Sequence, residues 1–303
     1  SNLRADTIYQ FNLLDVRISG IDILSGCTAT DINDRGIIVG VCNNAAGDEV
    51  AWRSDGRRFT ELGVTGDIRT IDDRPFLTTT PQAINNNGVV AGWFSIHSPA
   101  SFQMLSFVRQ DRVTRLISFP GATLTNINGI NDSGQVVGQY RDANKIYHGF
   151  RYEVIAGIPK YTALERPGAV GELGGLWLSD INNNGATVGN VYDFTGASAD
   201  PIAHGIVLDA NGLRELDIAG AANTWLFGIN DQGAIVGIFS EDLAQLKVHG
   251  FVLLNGIMTV LNVPGAVRAD PFSINNAGQI VGSALFESGG QFERKAFIAK
   301  GNQ

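Results

Sequence analysis

The sequence predicts an all-β fold, a six-bladed β-propeller with four antiparallel strands per blade, on three observations. The string Ile-Asn-x-x-Gly occurs six times, starting at Ile32, Ile84, Ile130, Ile181, Ile229 and Ile274, at spacings of 52, 46, 51, 48 and 45 residues. A second glycine follows four residues after the first in every copy, as in Gly36 with Gly40 and Gly134 with Gly138. The composition is that of strands and turns: 37 glycines in 303 residues and only 17% charged residues, whereas helix surfaces are normally covered by Glu, Lys and Arg. Repeats of roughly fifty residues suit propeller blades, and the coils of a β-helix are much shorter. No sustained helical period supports a helical solenoid.

Each element of the unit follows from its residues. Asn at the first position and Gly at the fourth suit a type I turn whose glycine takes positive φ. The motif therefore closes a hairpin between an inner strand a and a strand b that reads Gly-x-Ile-Val-Gly. The second glycine, inside strand b, marks a bulge or a close approach by a neighbouring sheet. Strand c carries a small residue followed by a large apolar one: Ala51-Trp52, Ser106-Phe107, Gly149-Phe150, Gly205-Ile206, Gly250-Phe251 and Ala296-Phe297. Turn signals such as Asp55-Gly56, Asn211-Gly212 and Asn255-Gly256 then lead into strand d. Strand d holds an alternating run with Leu and often ends at Pro-Gly-Ala, at Pro120, Pro167 and Pro264.

Residues 1–303 read as a single domain. The sixth unit stops after strand c, and Leu14-Asp15-Val16 matches Leu216-Asp217-Ile218 of a strand d. Residues 7–18 are therefore expected to complete the sixth blade and to remove the open seam of the ring.

The units Gly129-Ile130-Asn131-Asp132-Ser133-Gly134-Gln135-Val136-Val137-Gly138 and His148-Gly149-Phe150 resemble the bacterial HAF repeat, described as a probable extracellular repeat. The similarity covers nearly the whole chain, although the His recurs only at His148, His204 and His249. The resemblance implies an exported bacterial protein, secreted or on the cell surface, and brings no catalytic residues with it. Ser1-Asn2 reads as a remnant of cleavage, so a native signal peptide is expected to have been removed.

The net charge of −8 argues against a nucleic-acid partner, which needs clustered Lys and Arg. No apolar run reaches membrane-spanning length, so a soluble domain, expected to be monomeric, follows. Cys27 and Cys42 do not decide the compartment. A two-residue loop at Asp34-Arg35 would set them opposite one another. The expected bulged turn instead pairs Thr28 with Cys42 and predicts two free thiols.

The Asn-x-x-Gly turns share one face of the propeller with the c–d turns. The b–c and d–a loops on the other face are long and varied, which is where binding residues concentrate. The candidate ligand-binding residues are Arg69, Asp72, Arg74, Trp177, Trp225 and Arg268 at the channel mouth, with Asp73, Glu172 and Asp270 nearby. Such a rim could grip a glycan, a peptide or a small molecule. Alternatively, both Trp residues fill gaps between blades and the charges solvate loops. The histidines sit at equivalent positions of different blades and cannot converge on one ion, so no metal is expected. Asp31-Ile32-Asn33-Asp34 and Asp142-Ala143-Asn144 hint at oxygen ligands, but neither is a calcium loop. Standard catalytic motifs are missing and no cofactor is implied. A binding module is thus the first reading. A hydrolase or lyase using channel-mouth carboxylates, Asp72 and Asp73 facing Asp270 or Glu172, is the alternative.

Overall fold

A computed structural model describes residues 9–63, 70–71, 74–75, 78–98, 101–111, 113–166, 174–193, 201–245 and 247–301. Six four-stranded antiparallel sheets form the six blades of the propeller. In order a to d, blade 1 comprises Ile23–Ile32, Ile38–Asn44, Glu49–Ser54 and Phe59–Glu61, and blade 2 comprises Thr78–Ile84, Val90–Ser98, Ser101–Gln110 and Val113–Ile117. Blade 3 is built from Leu124–Ile130, Val136–Arg141, Tyr147–Ile155 and Ile158–Leu164, and blade 4 from Trp177–Ile181, Thr187–Asp193, Ile202–Asp209 and Gly212–Glu215. Blade 5 contains Asn223–Ile229, Ile235–Ser240, Val248–Leu254 and Ile257–Leu261. Blade 6 takes Arg268–Ile274, Gln279–Ser288 and Gln291–Gly301 from the end of the chain and Tyr9–Leu13 from its start. The N-terminal strand closes the last blade as expected: Tyr9 pairs with Gly301, Leu13 with Phe297, and the Leu14 N–H donates to the Ala296 carbonyl at 2.9 Å. The equivalent Leu216 donates to Gly205 at 2.7 Å, so the alignment of Leu14 with Leu216 holds to the residue.

The large residue of each strand c forms the core between blades. Trp52, Phe107, Phe150, Ile206, Phe251 and Phe297 are all essentially inaccessible. The small residue before them leaves room for the next blade, since a Cβ on Gly250 would lie 2.4 Å from the Ala269 carbonyl oxygen.

The hairpin chemistry is as the motif demands. The first glycines have φ between 71° and 79°, and each motif Asn accepts the N–H four residues on, as Asn33 Oδ1 does from Ile37 at 3.0 Å. The second glycine marks both a bulge and a close approach, but the bulge lies on the paired strand a and the approach comes from within the blade, not from a neighbouring sheet. The crowding atom belongs to strand a of the same blade, such as the Asn126 carbonyl oxygen 1.9 Å from a Cβ built on Gly138. Opposite that approach, strand a of every blade skips one residue in its pairing: Thr30, Gln82, Asn128, Ser179, Phe227 and Phe272 are the six bulges.

That bulge overturns the expectation of free thiols. The turn sets Asn33 opposite Ile37, as anticipated, and Asp31 pairs with Val39. The skip at Thr30 then shifts the register by one, pairing Ala29 with Gly40 and Thr28 with Val41. Cys27 is brought level with Cys42, and the two form a disulfide with Cα atoms 4.1 Å apart. Such a bridge fits an extracellular or periplasmic protein. Closing a loop with a sequence separation of 15 stabilises by roughly 3 kcal/mol. Replacing both cysteines by Ser is expected to lower the unfolding free energy by that order, read from urea titrations. Reductant should reproduce the loss in the wild type and add nothing in the variant.

Candidate functional site

The six inner strands surround a channel, and the Asn-x-x-Gly turns form a hydrogen-bonded belt at one end of it. Each motif Asn reaches the next blade: Asn33 donates to the Asn85 carbonyl, Asn85 to Asn131, Asn131 to Asn182, Asn182 to Asn230, Asn230 to Asn275 and Asn275 back to Asn33, at 2.9–3.2 Å. The turn alone thus does not account for this residue, because its Nδ2 joins blades around the whole ring.

The next residue alternates in kind around the ring: Asp34, Asn86, Asp132, Asn183, Asp231, Asn276. Its backbone N–H donates to the Oδ1 of the following blade's residue at 2.7–2.8 Å throughout. Each Asn amide then donates to the two flanking Asp Oδ2 atoms, closing a hexagon with edges of 2.7–3.1 Å. Alternation lets every carboxylate meet donors and keeps the three charges apart. Burial would push the Asp231 carboxyl up, but the amides of Asn183 and Asn276 outweigh it and hold it below the usual range. A hexagon of such edges leaves a central opening no wider than roughly one water molecule.

Beyond the belt lies a cavity of about 410 Å³, lined by all six bulge residues together with Thr28, Asp31, Val41, Thr80, Ala83, Asp180 and Ser273. A bulge re-aims the side chain at its extra residue, and six of them around one axis turn Thr30, Gln82, Asn128, Ser179, Phe227 and Phe272 to the channel. Phe227 and Phe272 lie with ring centroids 5.5 Å apart. Asn128 donates to Gln139 and to the Leu178 carbonyl, each at 2.7 Å.

Asp31 and Asp180 belong to blades 1 and 4, three blades apart on a ring of six, and sit between the cavity and the belt. Asp31 accepts the Ile32 and Ile84 N–H groups at 2.7 and 2.5 Å and the Ser273 hydroxyl. Asp180 accepts those of Ile181 and Ile229 at 2.7 and 2.9 Å. Enclosure by protein pushes Asp31 up to about 6 against those hydrogen bonds. Asp180 is pushed up to about 7 by burial and then by the Asp31 charge. The native state therefore holds these protons more tightly than the unfolded chain does. The resulting stabilisation is full below about pH 4 and is lost as pH rises through 6 to 7, at most about 1.4 kcal/mol per unit per group. Between pH 5 and 7, wild-type stability is expected to fall relative to Asp180→Asn by about 1–2 kcal/mol, read from parallel denaturant titrations. Parallel pH profiles of the two proteins would refute the assignment.

Of the rim residues the sequence predicts, Arg74, Trp177, Trp225 and Arg268 are among the described residues. Arg69 and Asp72, with Asp73 and Glu172, lie outside the described residues. Arg74 pairs with Ile71 in a two-residue hairpin between blades 1 and 2. Trp177 packs against Tyr147 and Tyr192 at centroid distances of 4.6 and 5.9 Å. Trp225 hydrogen-bonds Tyr192, so both Trp residues are half-buried around one tyrosine. Arg268 is bound to Asp270 at 2.5 Å, and Arg294 reaches the other oxygen of Asp270 at 3.2 Å. None of these is among the described residues lining the cavity.

The repeat histidines pair with carboxylates of their own blades: His148 with Glu165 at 2.9 Å, His204 with Asp217 at 2.6 Å and His249 with Glu241 at 3.2 Å. His204, Asp217 and Glu215 offer ligand atoms within 4.8 Å of one another, and Arg166 supplies a cation there, 3.2 Å from Glu215. Among the described residues no helix is long and apolar enough to cross a membrane.

No protein-family model matches the sequence, and no curated protein is detectably similar to it. The fold is similar to solved propellers. A leech intramolecular trans-sialidase complexed with 2,7-anhydro-Neu5Ac superposes with a TM-score of 0.55 at 7% identity, over 96% of this chain and 70% of that one. TolB from Acinetobacter baumannii gives 0.53 at 12% identity over 88% of this chain, which spans 64% of that chain's length. The SapL1 lectin, in complex with alpha methyl fucoside, gives 0.50 at 11% identity over 87% and 89%. At these identities the likeness is one of fold: a six-bladed β-propeller.

Proposed function

We propose that this chain is an exported binding module that takes a small hydroxylated ligand, such as a glycan unit, into its central channel from the b–c/d–a end. The observation that carries this is the set of six aligned bulges, which give the 410 Å³ cavity two aromatic faces and four hydroxyl or amide side chains. That combination suits a ring with apolar C–H faces and polar edges. A purely structural bulge would not need two hydroxyls, two amides and two aromatic rings at one repeat position. The belt narrows the other end to the width of water, which supports entry from the side of the long loops. Arg69, Asp72, Arg74, Trp177, Trp225 and Arg268 then serve at most as the outer approach. Carbohydrates bound to the leech enzyme and to SapL1 are in keeping with this use of the fold. So is the resemblance to the HAF repeat, which points to a secreted or cell-surface bacterial protein.

Asp31 and Asp180 favour a second reading as a hydrolase or lyase, since carboxyls that hold protons near neutrality suit general acid catalysis. A glycan array run beside a hydrolysis screen separates the two. Retention of a glycan without turnover, abolished by Gln82→Ala with Asn128→Ala, is the expected result. Unchanged binding in that variant would place the site outside the channel, and turnover lost in Asp180→Asn would make the protein an enzyme.

A further inference from the structure

We infer that the channel ligand carries a protonated amine, and that this protein selects a small hydroxylated ammonium compound of the amino-sugar class. The inference rests on the channel being the binding site and adds the charge of what enters it.

The first support is the sign of the charges. Asp31 and Asp180 line the cavity, and Asp34, Asp132 and Asp231 line the belt behind them. Glu49 stands behind the wall, accepting a hydrogen bond from Thr80. Among the described residues lining either space there is no Lys, Arg or His. A narrow cleft of one sign with low-dielectric walls concentrates ions of the opposite sign. Ligands bearing phosphate, sulfate or carboxylate are repelled by the same field.

The second support is the order of residues around the ring. Asp180 of blade 4, Phe227 of blade 5, Phe272 of blade 6 and Asp31 of blade 1 form one continuous arc, because blade 6 adjoins blade 1. The arc reads acid, aromatic, aromatic, acid. Aromatic faces attract cations, more strongly when water is excluded, and the flanking carboxylates neutralise them. The opposite arc holds Gln82 and Asn128, which suit hydroxyl groups. A ligand with an ammonium group at one side and hydroxyls at the other satisfies both halves.

The raised proton affinity of the two acids makes occupancy depend on pH. An ammonium group between them draws both into the ionised form, so binding releases protons below neutrality. The groups facing Asp31 are the Ser273 hydroxyl and the Ile32 and Ile84 N–H groups. Those facing Asp180 are the Ile181 and Ile229 N–H groups, with Asp31 and Asp231 acting through their charge.

The test is calorimetric titration of the full chain at pH 7 with glucosamine, N-acetylglucosamine and glucose, which present a charged amine, a neutral amide and a hydroxyl on one ring. Glucosamine is expected to bind at least tenfold more tightly than either other sugar. Asp180→Asn, and separately Asp31→Asn, should lower its affinity at least tenfold while leaving N-acetylglucosamine within twofold. Because either variant could misfold, the wild type is also titrated at pH 5.5, where glucosamine affinity should fall at least tenfold. Equal binding of all three sugars, or a preference for a neutral one, would overturn the cationic ligand and leave the channel reading standing. Silence of all three, and of ethanolamine and tetramethylammonium, would overturn both.

Discussion

Gly138→Val is expected to abolish folding, whereas Gly134→Val, four residues away in the same hairpin, should cost about 1–3 kcal/mol. The two glycines are required for opposite reasons. Gly134 has φ of +74° and nothing within 4 Å of a built Cβ, so its substitution meets backbone strain and no obstacle. A Cβ on Gly138 would lie 1.9 Å from the Asn126 carbonyl oxygen and 3.1 Å from the Ile127 Cα. Backbone atoms of a paired strand cannot retreat without breaking the ladder, and the branched side chain enlarges the clash. The cost is roughly 4 kcal/mol or more, in the range reached only by overpacking or a lost core contact. Soluble expression and thermal melting of the two variants check this. A well-folded Gly138→Val with a melting temperature near that of Gly134→Val would show that strand a can withdraw from strand b.

The same glycine explains much of what the sequence disclosed and what it concealed. Turn formers report backbone needs, so Asn33 and Gly36 announce their hairpin wherever they occur, and six spaced copies announce a ring. The aromatic positions were legible for a similar reason: a core between blades demands bulk at Phe150 and smallness at Gly149. Gly138 hints at a bulge beside it, but nothing in the sequence shows that strand a carries it or at which residue. The six bulge residues are Thr30, Gln82, Asn128, Ser179, Phe227 and Phe272, two hydroxyls, two amides and two phenyl rings, so no single residue type marks the position. A single uncounted residue at Thr30 moved the register by one and turned a disulfide into two apparent thiols.

The candidate site was hidden in part by the motif itself. Asp34, Asn86, Asp132, Asn183, Asp231 and Asn276 alternate visibly in the sequence, yet Asp and Asn are both ordinary at the second position of a turn. Only closure of the ring gives alternation a meaning. Asp31 and Asp180, likewise, read as strand residues until six inner strands enclose them. Trp177 and Trp225 drew notice because aromatic residues stand out in loops. The structure uses both to pack around Tyr192.

Removal of residues 1–18 is expected to open the ring and leave an aggregating protein. The segment does two things at once. Tyr9–Leu13 saturates the outer edge of strand c in blade 6, from Phe297 to Gly301, and Phe11 meets Phe297 edge-on at a centroid distance of 5.7 Å. Val16 and Ile18, each 7% exposed, then pack into the core formed with Ala29, Trp52, Val281 and Ala296, which joins blade 6 to blade 1. Burial of each large aliphatic side chain contributes about 1.5–3 kcal/mol, so the loss exceeds about 5 kcal/mol once the edge ladder is included. That is comparable with the whole stability of an ordinary domain. An exposed strand flanked by Phe297 is also a template for pairing with other chains. Size-exclusion chromatography of the truncated protein should show soluble aggregates, and a synthetic peptide spanning residues 1–18, added during refolding, should restore the elution volume of the full-length protein. A truncated chain that elutes and melts with the full-length protein would mean that blades 6 and 1 hold the ring without the clasp.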